Sequence, residues 1–334
     1  MASARPRVFV TRRLPGDAVE RLAAAAEVEV WPERRPPPPE DLARRGADAD
    51  ALLVLLTDRV DGALLDRCPR LRVVANMAVG YDNLDLDELT ARGIPASNTP
   101  GVLTETTAEL TWALILAATR RVAEGDRVVR RGEWLTWEPD FLLGRDLAGG
   151  TLGIVGFGAI GAAVARRASA FDLRVVAWTP HPKPVDGVEW VALDELLARA
   201  DVVSVHCALT PSTRGLIGAR ALTLMKPSAV LVNTARGPIV DQVALAEALR
   251  ERRIAGAGLD VFETEPIGSD DPLLGLDNCV VVPHVGSATV ATRGRMAGMA
   301  ADNILAALRG GQVPNCVNPA VYEQPGRREA ARGS

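Results

Sequence analysis

Eleven residues constrain the fold more than any others: Thr151-Leu152-Gly153-Ile154-Val155, followed at once by Gly156-Phe157-Gly158-Ala159-Ile160-Gly161. The first five predict a buried strand, residues 162–170 continue as an alanine-rich helix, and residues 173–178 predict a second strand that closes the unit. Within this frame each glycine has a separate task. Gly156 permits the tight turn out of the strand, Gly158 lets the backbone approach a ligand, and Gly161 lets helix and strand pack closely. Backbone N–H groups at the helix start then face outward, where they suit a pyrophosphate. A G-x-G-x-x-G run alone is weak evidence. A strand before it, a helix after it and a closing strand meet its structural condition, so the segment predicts a parallel α/β sheet that binds a dinucleotide through residues 156–161.

The remaining pattern extends this frame. Residues 7–10, 51–56 and 73–75 are continuous apolar runs, as expected of strands covered on both faces, and residues 16–26 have helical spacing. The prolines at 36–39 predict a stiff loop before a helix that begins near Glu40. The first hundred residues therefore read as an α/β unit of their own. Residues 101–122 predict one long helix with Leu110, Leu114 and Ala117 on a single face, and Trp134 and Trp137 follow in a segment rich in Gly and Pro. Further strands are predicted at 202–205, 230–233, 255–259 and 279–282, with helices at 193–199, 242–252 and 296–308. The alternation predicts the α/β class with doubly wound parallel sheets. The tail from Gln324 is polar and charged and is expected to be disordered.

Length and charge narrow the class. A chain of 334 residues suits two domains, and a net charge of −4 gives no electrostatic case for nucleic acid or a membrane surface. The apolar run 112–118 is too short to span a bilayer, and no leader segment is read at the N-terminus. The four cysteines, Cys68, Cys207, Cys279 and Cys316, are far apart, which favours reduced thiols in a cytoplasmic protein over a disulfide framework or a metal site.

Chemistry concentrates near the C-terminal end. The chain has three histidines, His181, His206 and His284. His284 ends an apolar run at Val282-Pro283 and enters a Gly/Ser turn; Glu265 lies 19 residues upstream, and Arg236 a further 29. Each follows a strand-like run, and an arginine, an acid and a histidine at neighbouring strand ends suit proton transfer. With a dinucleotide turn upstream, that chemistry reads as hydride transfer. His206 also follows a strand and is read as structural. A site selective for NAD would place Asp or Glu at the end of the second strand, near the ribose hydroxyls. Here Trp178-Thr179-Pro180-His181-Pro182-Lys183 stands there, and no carboxylate occurs before Asp186. Thr179, His181 and Lys183 can instead meet a 2′-phosphate, so NADP(H) is expected as the preferred cofactor, with NAD(H) an alternative.

These residues resemble the D-isomer-specific 2-hydroxyacid dehydrogenases, and most of all their glyoxylate/hydroxypyruvate reductase branch. The resemblance runs from about residue 8 to 318. It rests on Val79-Gly80-Tyr81-Asp82-Asn83, Thr104-Glu105-Thr106-Thr107-Ala108-Glu109 and residues 153–161, and continues through HCALTPST (206–213), LVNTARG (231–237), 258–266 and PHVGSAT (283–289). Ala208 departs from many members, which carry Pro there. The resemblance implies a discontinuous substrate domain, 1–100 plus 289–334, with a Rossmann domain, 101–288, inserted in it, and a homodimer formed through the long helix and the Trp134/Trp137 region. It implies His284 as general acid, Glu265 pairing with its imidazole and favouring the charged form, and Arg236 holding the 2-oxo acid carboxylate. The N–H groups of Val79 and Gly80 would bind the other carboxylate oxygen. Thr107, Cys207, Thr234, Ala235, Asp260 and Gly286 would line the cofactor site with Arg236 and His284. Leu55-Leu56-Thr57 and Met77-Ala78, with Trp137 of the partner subunit, would shape the substrate side-chain pocket. Two alternatives stay open: a reductase of another 2-oxo acid or a phosphite-type dehydrogenase on this scaffold, and a non-enzymatic dinucleotide sensor.

Overall fold

Strands whose residues are apolar at every position can form only where both faces are covered, and the central strands of both sheets are built that way, whereas the edge strands at Glu27–Val30 and Val188–Trp190 carry glutamates and are not fully buried. The computed structural model describes residues 5–323, so the polar tail from Gln324 lies outside the described residues. The chain divides into two compact units, Met1–Leu103 with Ala288–Ser334, and Thr104–Ser287. The first boundary falls three residues later than expected and the second one residue earlier. The loop before the long helix stays with the first unit, where Arg295 donates to the Val102 carbonyl at 3.3 Å.

Among the described residues, the first unit holds strands β1 (Arg7–Val10), β2 (Glu27–Val30), β3 (Ala51–Val54), β4 (Val73–Asn76) and β5 (Ala96–Ser97). They form one parallel sheet in the order β2-β1-β3-β4-β5. Every residue of β3 and β4 is buried. The helix Val290–Leu308 starts six residues before the expected position, with Thr289 accepting the Thr292 N–H at its N-terminus, and packs on β3, β4 and the helix Ala18–Ala25.

The second unit holds β6 (Thr151–Val155), β7 (Arg174–Trp178), β8 (Val188–Trp190), β9 (Val202–Val205), β10 (Val230–Asn233), β11 (Gly256–Leu259) and β12 (Cys279–Val281). They form a parallel sheet in the order β12-β11-β10-β9-β6-β7-β8. Successive residues of β10 feed opposite cores. Leu231 packs with Leu196, Ile217, Leu222 and Leu245, whereas Val230 and Val232 pack with Trp112, Ile115 and Ile154. Each such fully buried aliphatic side chain contributes roughly 1.5–3 kcal/mol.

The expected long helix ends early, and a helix that was not expected follows it. The span 101–122 is helical over Thr104–Thr119, and a second helix, Val122–Arg130, follows a break at Arg121, which takes the left-handed conformation with φ 54°. No Gly or Pro marks the break. The Thr119 carbonyl accepts the Arg145 N–H at 2.9 Å, and Gly144 passes so close that a Cβ there would lie 2.6 Å from the same oxygen. A segment 25 residues away in sequence thus ends the helix. Leu114 is buried as expected, but Leu110 and Ala117 are half-buried, and the buried face widens to Thr107, Ala108, Thr111, Trp112 and Ile115. It does so because this helix packs on β10, β11 and β12 and also on the helix Ala159–Ala168. β11 admits it through glycine: a Cβ on Gly258 would stand 3.0 Å from Leu114 Cβ.

Past Arg130 the second unit carries an apolar surface. Trp134 is 58% exposed, Leu135 88%, Trp137 77% and Leu143 64%. Among the described residues no helix is long and apolar enough to cross a membrane, and all four cysteines are free thiols.

Candidate active site

The second sheet reverses its winding between β6 and β9, and open α/β sheets bind ligands outside the strand ends at such a point. The predicted glycine turn lies there. Gly156 has φ +93°, and a Cβ on it would sit 2.3 Å from the Cys207 backbone nitrogen, so only glycine lets the turn lie against the chain leaving β9. A Cβ on Gly161 would meet the Gly156 carbonyl oxygen at 2.5 Å, which keeps the helix Ala159–Ala168 close beneath the turn. Gly158, by contrast, has nothing within 4 Å of its Cβ position. The turn is therefore closed on the protein side and open at Gly158, the arrangement a pyrophosphate requires. Ala159 is exposed and Ile160 half-buried, while Phe157 packs edge-on against Trp190 at 5.0 Å. Cys207 is half-buried, and burial pushes its thiol up to about 11, so it stays a neutral packing group at neutral pH. His206 donates its backbone N–H to Val155 at 2.8 Å and pairs its ring with Ser204 at 2.8 Å; burial holds the ring well below its usual range and neutral. Thr179 is half-buried at the end of β7, and His181 and Lys183 are exposed beyond it.

Because β10, β11 and β12 are adjacent and parallel, the loops that leave them share one edge of the sheet. These loops carry Arg236, Glu265 and His284. His284 Nδ1 stands 2.6 Å from Glu265 Oε2, and Glu265 Oε1 accepts the Phe262 N–H at 3.0 Å. Burial raises the cost of the Glu265 charge more than any other single effect. The hydrogen bond and charge of His284, the Phe262 N–H and the Arg236 charge together outweigh it and hold the carboxyl below its ordinary range. With Glu265 on Nδ1, the other ring nitrogen, Nε2, is left to act on a substrate.

A group whose folded-state pKa is lowered stabilises the fold above the ordinary glutamate range, and that contribution disappears as pH falls through the lowered value. The Glu265–His284 pair therefore loses stability on the acid side. Thermal melts at pH 7 and about pH 3 are expected to show a shallower acid loss of Tm in Glu265→Gln than in the parent. An identical loss in both proteins would refute this.

Two residues outside the trio fix the loops. Asn233, at the end of β10, donates to the Arg236 carbonyl at 2.9 Å and accepts the Ala235 N–H at 3.0 Å, which folds the Thr234–Ala235–Arg236 loop back on its strand. The Thr234 hydroxyl also meets that of Thr111 at 2.9 Å. Asp260, at the end of β11, is 1% exposed and accepts the N–H groups of Val285 at 2.6 Å and Gly286 at 2.8 Å. Its carbonyl accepts the His284 N–H at 2.9 Å. Asp260 thereby holds His284 at φ 51°, a left-handed conformation that costs a non-glycine residue roughly 1–2 kcal/mol. Desolvation raises the Asp260 pKa despite those N–H donors and the nearby imidazole. Thr107 is buried beneath the turn, its hydroxyl 3.3 Å from the Gly286 carbonyl. Arg236 donates to the Ala235 carbonyl at 2.9 Å. The anchoring by Asn233 was missed at the level of sequence, although an Asn closing an apolar strand is a loop-folding signal. In the first unit, Val79 and Gly80 lie half-buried in the loop after β4.

Comparison with known proteins places the whole chain beside one family. Residues 112–286 match the family described as D-isomer specific 2-hydroxyacid dehydrogenase, NAD binding domain. Over 325 residues the chain is 51% identical to a glyoxylate reductase of Korarchaeum cryptofilum, covering 96% of this chain and 98% of that one. A solved structure from Thermus thermophilus superposes with a TM-score of 0.90 at 49% identity, covering 93% of this chain and 99% of that chain. The NADPH-dependent glyoxylate/hydroxypyruvate reductase of Sinorhizobium meliloti, in complex with NADP and malonate, gives a TM-score of 0.84 at 35% identity, covering 95% and 98%.

Proposed function

The chain belongs to the D-isomer specific 2-hydroxyacid dehydrogenase family, and from that premise we propose that it reduces glyoxylate or hydroxypyruvate to the D-2-hydroxy acid with a nicotinamide dinucleotide, NADP(H) in preference to NAD(H). The observation that carries this reading is the 2.6 Å Glu265–His284 pair, on the strand edge that also presents Arg236, in a sheet whose switch point holds an open glycine turn. Residues 156–161 hold the dinucleotide's phosphates. When bound, the nicotinamide supplies the hydride that the carbonyl carbon needs. His284 supplies the proton at the carbonyl oxygen, and Glu265 stabilises the imidazolium before transfer and orients the ring. The planar fork of Arg236 takes the substrate carboxylate.

The cofactor preference rests on Thr179, His181 and Lys183 and on the lack of a carboxylate before Asp186. It is consistent with the NADP-bound relative at 35% identity. The exposed Trp134, Leu135, Trp137 and Leu143 support a homodimer that covers them.

Initial rates of NADPH and NADH oxidation with glyoxylate, hydroxypyruvate and pyruvate test the proposal. NADPH is expected to be preferred, with glyoxylate or hydroxypyruvate the best acceptor. A preference for NADH would overturn the role given to Thr179, His181 and Lys183. Absence of turnover with all three acceptors would overturn this substrate assignment in favour of another 2-oxo acid, a phosphite-type substrate or a dinucleotide sensor.

A further inference from the structure

The loop after β4 is held in an unusual way. Three successive carbonyls are each taken by a donor from elsewhere in the first unit: Ala78 O by the Thr99 N–H at 2.9 Å, Val79 O by Asn98 Nδ2 at 2.8 Å, and Gly80 O by Asn76 Nδ2 at 2.9 Å. Asn76 is 1% exposed and Asn98 9%. In a trans peptide the N–H points opposite to the C=O of the same plane, so fixing a carbonyl fixes the next residue's N–H. The Thr99 contact therefore aims the Val79 N–H, and the Asn98 contact aims the Gly80 N–H. Neither N–H has a hydrogen-bond acceptor among the described residues. Successive backbone N–H groups of this kind make an anion-binding concavity.

The clamp is also braced. Asn76 Nδ2 lies 3.2 Å from Asn83 Oδ1, and Asn83 Nδ2 donates to the carbonyls of Leu55 at 3.1 Å and Asp58 at 2.9 Å. One amide network thus joins the loop after β4 to the loop after β3, the two loops expected to shape the substrate side-chain pocket.

We propose that Asn98, acting beside the Thr99 N–H, is a positioning residue that aims the Val79 and Gly80 N–H pair at a substrate carboxylate, that Asn76 fixes the far side of this loop at the Gly80 carbonyl, and that Asn83 locks the loop to residues 55–58. The proposal rests on the reading of Val79 and Gly80 as carboxylate donors. It assigns to side chains of the first unit a control over substrate affinity that is separate from dinucleotide binding and from hydride transfer.

The test compares the full-length parent with Asn98→Ala and Asn83→Ala. Three quantities are measured: oxalate affinity by calorimetry with NADPH present, KM and kcat for glyoxylate, and the Kd of NADPH. Loss of the aimed donors should weaken oxalate binding and raise KM by about 10- to 100-fold, with kcat and the NADPH Kd within a few-fold of the parent. Asn83, half-buried, provides a variant should Asn98→Ala fail to fold, and its effect should be the smaller. Unchanged oxalate affinity and KM in a folded variant would overturn the proposal, as would an equal loss of NADPH binding. If the parent turns over no 2-oxo acid, the reductase reading fails while the oxalate titration still decides the clamp.

Discussion

Replacing His284 with alanine is expected to lower kcat for a 2-oxo acid by about 10²- to 10⁴-fold, the usual contribution of a general acid, while NADPH still binds. His284 is tied to Glu265 through Nδ1 alone, so its loss removes the proton donor. The glycine turn follows β6 at the β6/β9 switch point, separated from β12 by β9, β10 and β11. Alanine at φ 51° would also strain the backbone. His284→Asn is therefore the companion variant, because Asn tolerates that conformation better. Both variants should lose kcat alike. A parent-like kcat in either would show that the proton comes from another group.

Gly237→Ala is expected to damage stability and activity together. A Cβ at Gly237 would stand 1.8 Å from the Phe262 carbonyl oxygen, 1.9 Å from its carbon and 2.5 Å from the Glu263 nitrogen. All three are backbone atoms, so no side chain can turn aside to admit the methyl. The segment that must move carries the Phe262 N–H on Glu265, and the segment it moves away from carries Arg236. Overpacking of this kind costs about 1–3 kcal/mol or more, which in a unit of this size lowers Tm by roughly 2–12 °C. An accompanying fall in kcat/KM of about 100-fold is expected from displacement of Arg236 and Glu265 by as little as 1 Å. Parent-like melting and kinetics would mean that the loops are not locked together at Gly237.

Both predictions draw on different amounts of sequence information. His284, Glu265 and Arg236 could be recognised because each follows an apolar strand run, and parallel neighbours put the loops after such runs on one edge. The glycine turn was legible for the same reason: strand, turn and helix are set by residues within a dozen positions of one another. The role of Gly237 was not legible, since it depends on Phe262, 25 residues on. Nor was the end of the long helix, which Arg145 decides by capping Thr119.

Periodicity and local turn chemistry therefore determined the α/β class, the strands that carry the site and the residue types that follow them, but not the short strands β2, β5 and β8, whose two to four residues show no continuous apolar run. They act over one or two turns of chain, and a single sequence displays them directly. Tertiary packing decided where the long helix stops, how widely it is buried, and why β11 is built on glycine. It also turned Asp260 toward the Val285 and Gly286 N–H groups, and Asn98 and Asn76 toward the loop at 79–80. A hydrogen bond or a close approach between distant segments leaves no periodic trace, because it needs only one residue of the right shape at one point on each.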